Sequence, residues 1–364
     1  MTKPVPTILV APLNWGLGHA TRCVPVIAAL LSRNVRVIIG GDGRSLALLR
    51  HEFPHLPVIE LPSYDITYPV EGGNMAISMS VQIPKILSRI QAEQDALKRY
   101  DLKFGFDAVI SDNRYGCYLK GKPSVFITHQ LFIQTPGNLG FLSPLLWQLN
   151  QFFIRRFSAC WIPDLPDPVQ NLSGNLSHTR PLSPARFRFI GPLSRMSKDI
   201  SLPVDAPIFK AAVVLSGPEP QRTIFEEMVL KQAASTTDSI AVVRGLTETN
   251  NEHRKSNLYL TDHLTTEAIN RLLLRSEVVI ARSGYSTLMD LAAIGKKAAL
   301  VPTPGQTEQE YLAGRSMELG LYYSVAQQKF DLLNAMTQAV RYSGLLLDKK
   351  DLLTQAVESL IVQI

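Results

Sequence analysis

Cysteine is scarce: Cys23, Cys117 and Cys160 are the three in 364 residues, and they lie far apart. They form no Cys-x-x-Cys or Cys/His spacing, so neither a disulfide framework nor a zinc site is written here. No apolar run approaches the ~20 residues needed to cross a bilayer. The opening residues, 1–6, lead straight into an apolar stretch without the hydrophobic segment and small-residue cleavage site of a secretory leader. The cytoplasm is the expected compartment. The net charge of +6 is scattered, with no block of consecutive basic residues and no basic stripe interleaved with aromatics. Nucleic acid is therefore not an expected partner.

What is present is a soluble α/β composition, 46% hydrophobic and 19% charged, in a chain longer than one hydrophobic core usually supports. Short Val/Ile/Leu runs at 7–13, 35–39, 57–61, 107–111, 124–128, 160–162 and 187–190 alternate with helical patterns near 18–32, 43–51, 79–98 and 142–157. That alternation predicts a doubly wound parallel sheet. The pattern repeats, with strands at 209–215, 239–243, 257–260, 277–281, 297–301 and 321–324 and five intervening helices. The expected organisation is an N-terminal Rossmann-like domain over 1–190, a proline-rich linker over 191–207, and a second Rossmann-like domain over 208–345. A last helix within 346–364 is expected to pack back toward the N-terminal domain.

Each half carries a glycine-punctuated strand-to-helix junction. The first runs Thr7-Ile-Leu-Val-Ala-Pro-Leu-Asn-Trp-Gly-Leu-Gly-His-Ala-Thr-Arg22; the second runs from Val278 through Arg282-Ser-Gly-Tyr-Ser-Thr-Leu-Met-Asp290 to Gly295. Such junctions aim backbone N–H groups and a helix N-terminus at a crevice, where an anion is favoured. The first is not a dinucleotide fingerprint: Gly16 and Gly18 fit, but Thr21 stands where the third glycine belongs, and Asp42 falls in a loop. His19 reads either as a general base or as a helix cap. Ala108-Val-Ile-Ser-Asp112 ends the fourth strand in a carboxylate. In a sheet of order 3-2-1-4-5 that strand lies beside the first, so Asp112 would emerge next to His19 and orient its imidazole. The alternative is a simple capping Asp. His129 and Gln130, past the fifth strand, are candidates for acceptor contacts or for ordinary loop hydrogen bonds.

The stretch from Arg282 to Tyr311 resembles the donor-binding segment of GT-B nucleotide-sugar glycosyltransferases. It is most similar to the family 28-like enzymes that add N-acetylglucosamine to the lipid-linked peptidoglycan precursor. Gly16-Leu-Gly-His19 looks like that superfamily's acceptor-side loop, and Ser216-Gly217 like the glycine loop opening its second domain. The resemblance implies two domains facing across a cleft, Asp290 on the ribose hydroxyls, and Ser216, Gly217, Ser283, Gly284, Tyr285, Ser286 and Thr287 around a diphosphate. It places Gln309 and Glu310 at the donor sugar, the latter where the family has a second Gln. With no Asp-x-Asp in the chain, it implies an inverting transfer from a nucleotide sugar, UDP-linked, to an acceptor hydroxyl, with no metal or other cofactor. Closure would exclude water, and His19 backed by Asp112 would be the base. The bulky apolar residues of 139–161 beside Arg155 and Arg156 read first as a helix packed on the N-terminal sheet and second as an interfacial helix; with Met75, Ile77, Met79 and Ile83 they permit a glycolipid or polyprenyl-linked acceptor. The competing readings are a UDP-sugar 2-epimerase-like enzyme, which needs carboxylates beyond Glu308 and Glu310, a non-catalytic nucleotide-sugar-binding protein, and a dehydrogenase.

Overall fold

The computed structural model describes residues 5–65, 75–133, 143–202, 208–347 and 351–364, and the backbone alone for 75–81. The chain divides into two compact units, with the boundary between Leu193 and Ser194 and the C-terminal residues 351–364 returning to the first unit. That boundary falls inside the segment read as linker. Of that segment, 203–207 lie outside the described residues, while Leu193 and Met196 are buried.

The first unit is a seven-stranded sheet: β1 (Thr7–Pro12), β2 (Arg36–Gly41), β3 (Val58–Glu60), β4 (Ala108–Asp112), β5 (Ser124–Ile127), β6 (Ala159–Ile162) and β7 (Phe187–Phe189). The order is β3-β2-β1-β4-β5-β6-β7, every pair parallel. β1 is buried along its whole length, as a central parallel strand covered on both faces must be. Helices α1 (Leu17–Leu31), α2 (Gly43–Glu52), α3 (Met75–Phe104) and α4 (Ser143–Ile154) fill the crossovers. Leu97 on α3 packs with Leu9, Ile38, Ile59 and Val109, and Ile154 and Phe157 with Phe126, Cys160 and Ile162. α3 is longer than its sequence pattern, running through Pro84 and stopping at Gly105, whose φ of 61° is the left-handed turn that ends helices.

The register that matters is Pro12 opposite Asp112, extended by Leu13 N–H donating to the Asp112 carbonyl at 2.9 Å. β1 thus lies between β2 and β4, and the chain leaves it where the strand order reverses. Ligands of open α/β sheets bind at such a switch point.

The second unit repeats the plan with β8 (Phe209–Val214), β9 (Ile240–Val243), β10 (Glu252–Lys255), β11 (Leu258–Thr261), β12 (Ser276–Ala281), β13 (Ala298–Leu300) and β14 (Tyr323–Ser324). The order is β10-β11-β9-β8-β12-β13-β14. Its helices are α5 (Gln221–Ala233), α6 (Thr266–Leu274), α7 (Tyr285–Ile294), α8 (Thr307–Glu318) and α9 (Leu332–Ala339). β10 pairs antiparallel at the edge and has no counterpart in the sequence reading. Its residues Glu-His-Arg-Lys are all exposed, so no apolar alternation betrays it. The final helix, α10 (Leu352–Val362), packs against α1 of the first unit, where Arg33 reaches Glu358 at 2.8 Å.

Candidate active site: two half-sites at two sheet edges

In the first unit Gly16 precedes α1 with φ 84°, a value that favours glycine, and no side chain caps the helix. His19, in the first turn, is 13% exposed and places Nδ1 2.8 Å from Asp112 Oδ1. Asp112 also accepts two hydrogen bonds from Arg22: Nε reaches Oδ2 at 2.5 Å, and Nη2 bonds Oδ1. Arg22 is 2% exposed and sits three residues after His19, on the same helix face. Its Nη1 donates to His129 Nδ1 at 3.1 Å.

Burial alone would raise the Asp112 carboxyl, but the Arg22 guanidinium and His19 outweigh it and hold the pKa down at about 2. Asp112 is therefore ionised and can only accept. Although Arg22 Nη2 lies 2.9 Å from His19 Nδ1, the hydrogen on Nδ1 belongs to the His19–Asp112 contact. Burial, then the Arg22 charge, lower the His19 pKa below its ordinary value, against the pull of Asp112. The imidazole is neutral at pH 7, with Nε2 as its acceptor. The Cys23 thiol, 3.8 Å from Asp112 Oδ2, is pushed up by burial and is not a nucleophile.

A second buried cation braces the same edge. Arg114 pairs with Glu93, donates to Asp42 Oδ1 at 2.7 Å, and bonds the carbonyls of Pro12 at 3.2 Å and Pro62 at 2.7 Å. It thereby ties the ends of β1 and β3 to the start of α2. Gln130 is half-buried, and its backbone carbonyl accepts from Asn150 at 3.0 Å. His129, 5% exposed, faces Arg22. For His129 this matches the alternative of ordinary internal hydrogen bonding, since its ring is buried against Arg22.

In the second unit the switch point lies between β8 and β12. The turn after β12 leads through Gly284 into α7, which has no side-chain cap and ends at Gly295 with φ 64°. Space is open around the glycines. An ideal Cβ at Gly217 (φ 103°) would meet only Thr303 Oγ1, at 3.6 Å; one at Gly284 would meet only Thr287 Oγ1, at 3.9 Å; one at Gly305 would meet nothing within 4 Å. Below them Arg282, 1% exposed, has no carboxylate partner among the described residues. Its guanidinium donates to the carbonyls of Gln221 (2.8 Å), Val301 (3.2 Å) and Pro302 (3.3 Å) and stacks on Phe225. Burial lowers its pKa to about 10, so it stays cationic at neutral pH. A helix N-terminus, three glycine faces and an uncompensated buried cation make a receptacle for an anion.

Several expected diphosphate contacts are otherwise engaged. The Ser283 hydroxyl is fully buried and donates to the Gln309 carbonyl at 2.8 Å; Tyr285 is a core residue. Gln309 is buried, with Oε1 accepting from Thr303 N–H at 2.8 Å, so it supports the 302–306 loop rather than reaching outward. Glu310 is exposed and accepts from Gly305 N–H at 3.0 Å. The α5 N-terminus behind Ser216 is occupied by the chain's own Glu219, which bonds Thr223 N–H at 3.2 Å and Arg222 at 2.6 Å. The α7 N-terminus carries no such side-chain contact, and Ser216, Ser286 and Thr287 are half-buried.

Asp290, on α7, accepts from Ser194 Oγ at 2.6 Å, and Ser194 accepts in turn from Met196 N–H at 3.0 Å. Burial pushes the Asp290 carboxyl up to about 6, against the opposing pull of Arg195 and Ser194.

The glycosyltransferase family 28 C-terminal domain matches residues 212–349. A glycosyltransferase of Methanopyrus kandleri, itself uncharacterized, is 24% identical over 315 residues, covering 82% of this chain and 87% of that one. The UDP-N-acetylglucosamine–N-acetylmuramyl-(pentapeptide) pyrophosphoryl-undecaprenol N-acetylglucosamine transferase of Methylorubrum extorquens is 42% identical over 57 residues, 15% of each chain. Among solved structures, the glycotransferase of kitacinnamycin aligns over 99% of this chain and 95% of that one, with a TM-score of 0.61 at 15% identity. The chain is a GT-B glycosyltransferase, similar to the family 28 enzymes.

In this glycosyltransferase, three residues with no role in the sequence reading hold the half-sites together: Arg22, Arg282 and Ser194. Arg22 had a signal, the i, i+3 spacing from His19. Arg282 lies within the motif but shows its burial only once β13 and α5 are in place. Ser194 carries no local signal at all, since its partner lies 96 positions away.

Proposed function

We propose that this glycosyltransferase moves a sugar from a UDP-linked donor to an acceptor hydroxyl by a single inverting displacement, without a metal. The observation that carries the reading is the neutral His19, tautomer set by Asp112, at the switch point of the first sheet. The acceptor O–H gives its proton to His19 Nε2 as the oxygen bonds to the anomeric carbon. The bond from that carbon to the diphosphate breaks, and its electron pair leaves on the terminal phosphoryl oxygen. The α7 N-terminus and Arg282 stabilise that charge in place of a divalent cation. Asp290 accepts from the ribose hydroxyls, its Oδ1 held by Ser194. The uridine assignment is supported by the donor named for the Methylorubrum enzyme.

A lipid-linked acceptor, met by weak association with the cytoplasmic face of a membrane, fits α4. Leu145, Leu149 and Phe152 form an exposed apolar stripe, with Arg155 and Arg156 exposed just beyond the helix. No helix among the described residues is long and apolar enough to cross a membrane. Residues 139–142 and the side chains of Met75, Ile77 and Met79 lie outside the described residues. Liposome co-sedimentation tests this part, and failure to bind anionic vesicles removes it.

The decisive test is transfer by His19→Ala with UDP affinity measured by calorimetry. Unchanged transfer removes His19 as the base. Retained activity in excess chelator and an inverted anomeric coupling constant in the product check the other two parts.

A further inference from the structure

Thr303 lies in the turn after β13, 2% exposed. Its N–H donates to Gln309 Oε1 at 2.8 Å and its carbonyl accepts from Gln306 N–H at 3.1 Å. The side-chain hydroxyl has no hydrogen-bond partner among the described residues. Buried hydroxyls are normally paired, and one that is not calls for an explanation. The location supplies it. Thr303 Oγ1 is the atom that bounds the space on the bare face of Gly217. Thr303 is joined to the α7 entrance through Gln309, which also takes the Ser283 hydroxyl. The preceding carbonyl, of Pro302, is engaged by Arg282. This hydroxyl stands close to further donors: the uncapped α7 N-terminus, and the Arg282 guanidinium on the carbonyl next to Thr303. The backbone carbonyls of Val301 and Pro302 serve Arg282, and that of Thr303 serves Gln306 N–H. A donor-lined space asks for a ligand rich in acceptors and negative in charge.

We propose that Thr303 is a binding residue whose hydroxyl donates to a terminal phosphoryl oxygen of a nucleoside diphosphate seated between Gly217 and the α7 N-terminus. This rests on the donor site proposed above. The terminal phosphoryl group carries the charge when the sugar leaves, so the same hydrogen bond strengthens as the bond to the anomeric carbon breaks. Gly217 belongs to the same device: a side chain there would enter the space in front of the hydroxyl, at a φ that glycine alone adopts freely.

The test uses Thr303→Val, which keeps the shape and removes the hydroxyl, and Thr303→Ser, which keeps the hydroxyl. Each is titrated with UDP and with UMP (or TDP and TMP, GDP and GMP, should the wild type take another base). Thr303→Val is expected to weaken diphosphate binding roughly 10- to 100-fold, as loss of a hydrogen bond to a charged group does, and monophosphate binding less than about twofold. Thr303→Ser should stay within about threefold of wild type. The ligand-free valine variant should melt no lower than wild type, since the group it loses has no protein partner. Should the valine variant not fold, Thr303→Ala read against Thr303→Ser makes the same comparison. Equal weakening of mono- and diphosphate, or undiminished diphosphate binding, overturns the assignment. A wild type that binds UDP normally beside an unaffected variant sinks Thr303 alone; a wild type that binds no nucleoside diphosphate sinks the donor site with it.

Discussion

Leaving aside the antiparallel β10, the central strands of the two sheets follow the same order, but their edges are equipped in opposite ways. In the first unit the charges answer one another: Asp112 is held down at about 2 by Arg22 and His19, and the network reaches His129. In the second, burial pushes Asp290 up to about 6 against Arg195 and one serine hydroxyl, and Arg282 has only carbonyls as hydrogen-bond partners among the described residues. A self-satisfied network presets one group, a neutral imidazole, for proton transfer. A receptacle of donors without acceptors is completed by what binds. The same topology serves either purpose, because the switch point supplies a place and the side chains supply the chemistry.

The largest expected effect breaks the pair apart. His19→Ala should lower the turnover of sugar transfer by roughly 10²- to 10⁴-fold, the range for a general base, with nucleotide affinity within about twofold of wild type. A nucleotide affinity that fell in parallel would mean the half-sites are not chemically separate.

Next comes Arg22→Met, which strands the buried Asp112 charge and should cost about 3–5 kcal/mol in urea unfolding. It also changes the pH profile. Arg22 lowers the His19 pKa, whereas Asp112 raises it, and His129 is the other titratable group facing the ring. In the wild type the acid limb of turnover falls below the ordinary imidazole value; without Arg22 it should move to higher pH. An unmoved limb would leave Arg22 a purely structural residue.

The second half-site should answer pH with a different group. Only ionised Asp290 accepts from two hydroxyls, so affinity for a nucleotide sugar should be full above about pH 6 and weaken as pH falls through the Asp290 value of about 6. The diphosphate of such a ligand is ionised throughout, so the slope belongs to the protein. Asp290→Asn should bind about tenfold more weakly at pH 7.5 and lose the slope. A slope that survives the substitution would assign it elsewhere.

Ser283→Ala sharpens the contrast with Thr303. The Ser283 hydroxyl serves Gln309, so its loss should cost about 1 kcal/mol of stability and leave diphosphate affinity within about twofold. A larger binding loss would return Ser283 to the ligand.

Much of this was readable beforehand where local pattern and topology agree. The apolar runs marked thirteen of the strands, and the strand order placed Asp112 beside His19 because parallel strands of alternating connection leave little choice. The reading went astray where a residue's partner is remote. Ser283 and Gln309 look like ligands in the motif, yet face each other across the turn. Glu219 beside the expected glycine loop bonds Thr223 N–H in the first turn of α5. β10 escaped notice because an exposed edge strand needs no apolar face.

Residue pattern alone specified the two doubly wound halves, the glycine turns that open α1 and α7, and the residues proposed as base and as ribose acid. These follow from periodicity and from backbone conformations that few residues adopt. Which polar groups answer one another, and which stay without a partner, emerges once the chain is folded. Protonation, burial and the direction of a hydroxyl depend on neighbours brought together from far along the chain, and no local stretch of residues encodes them.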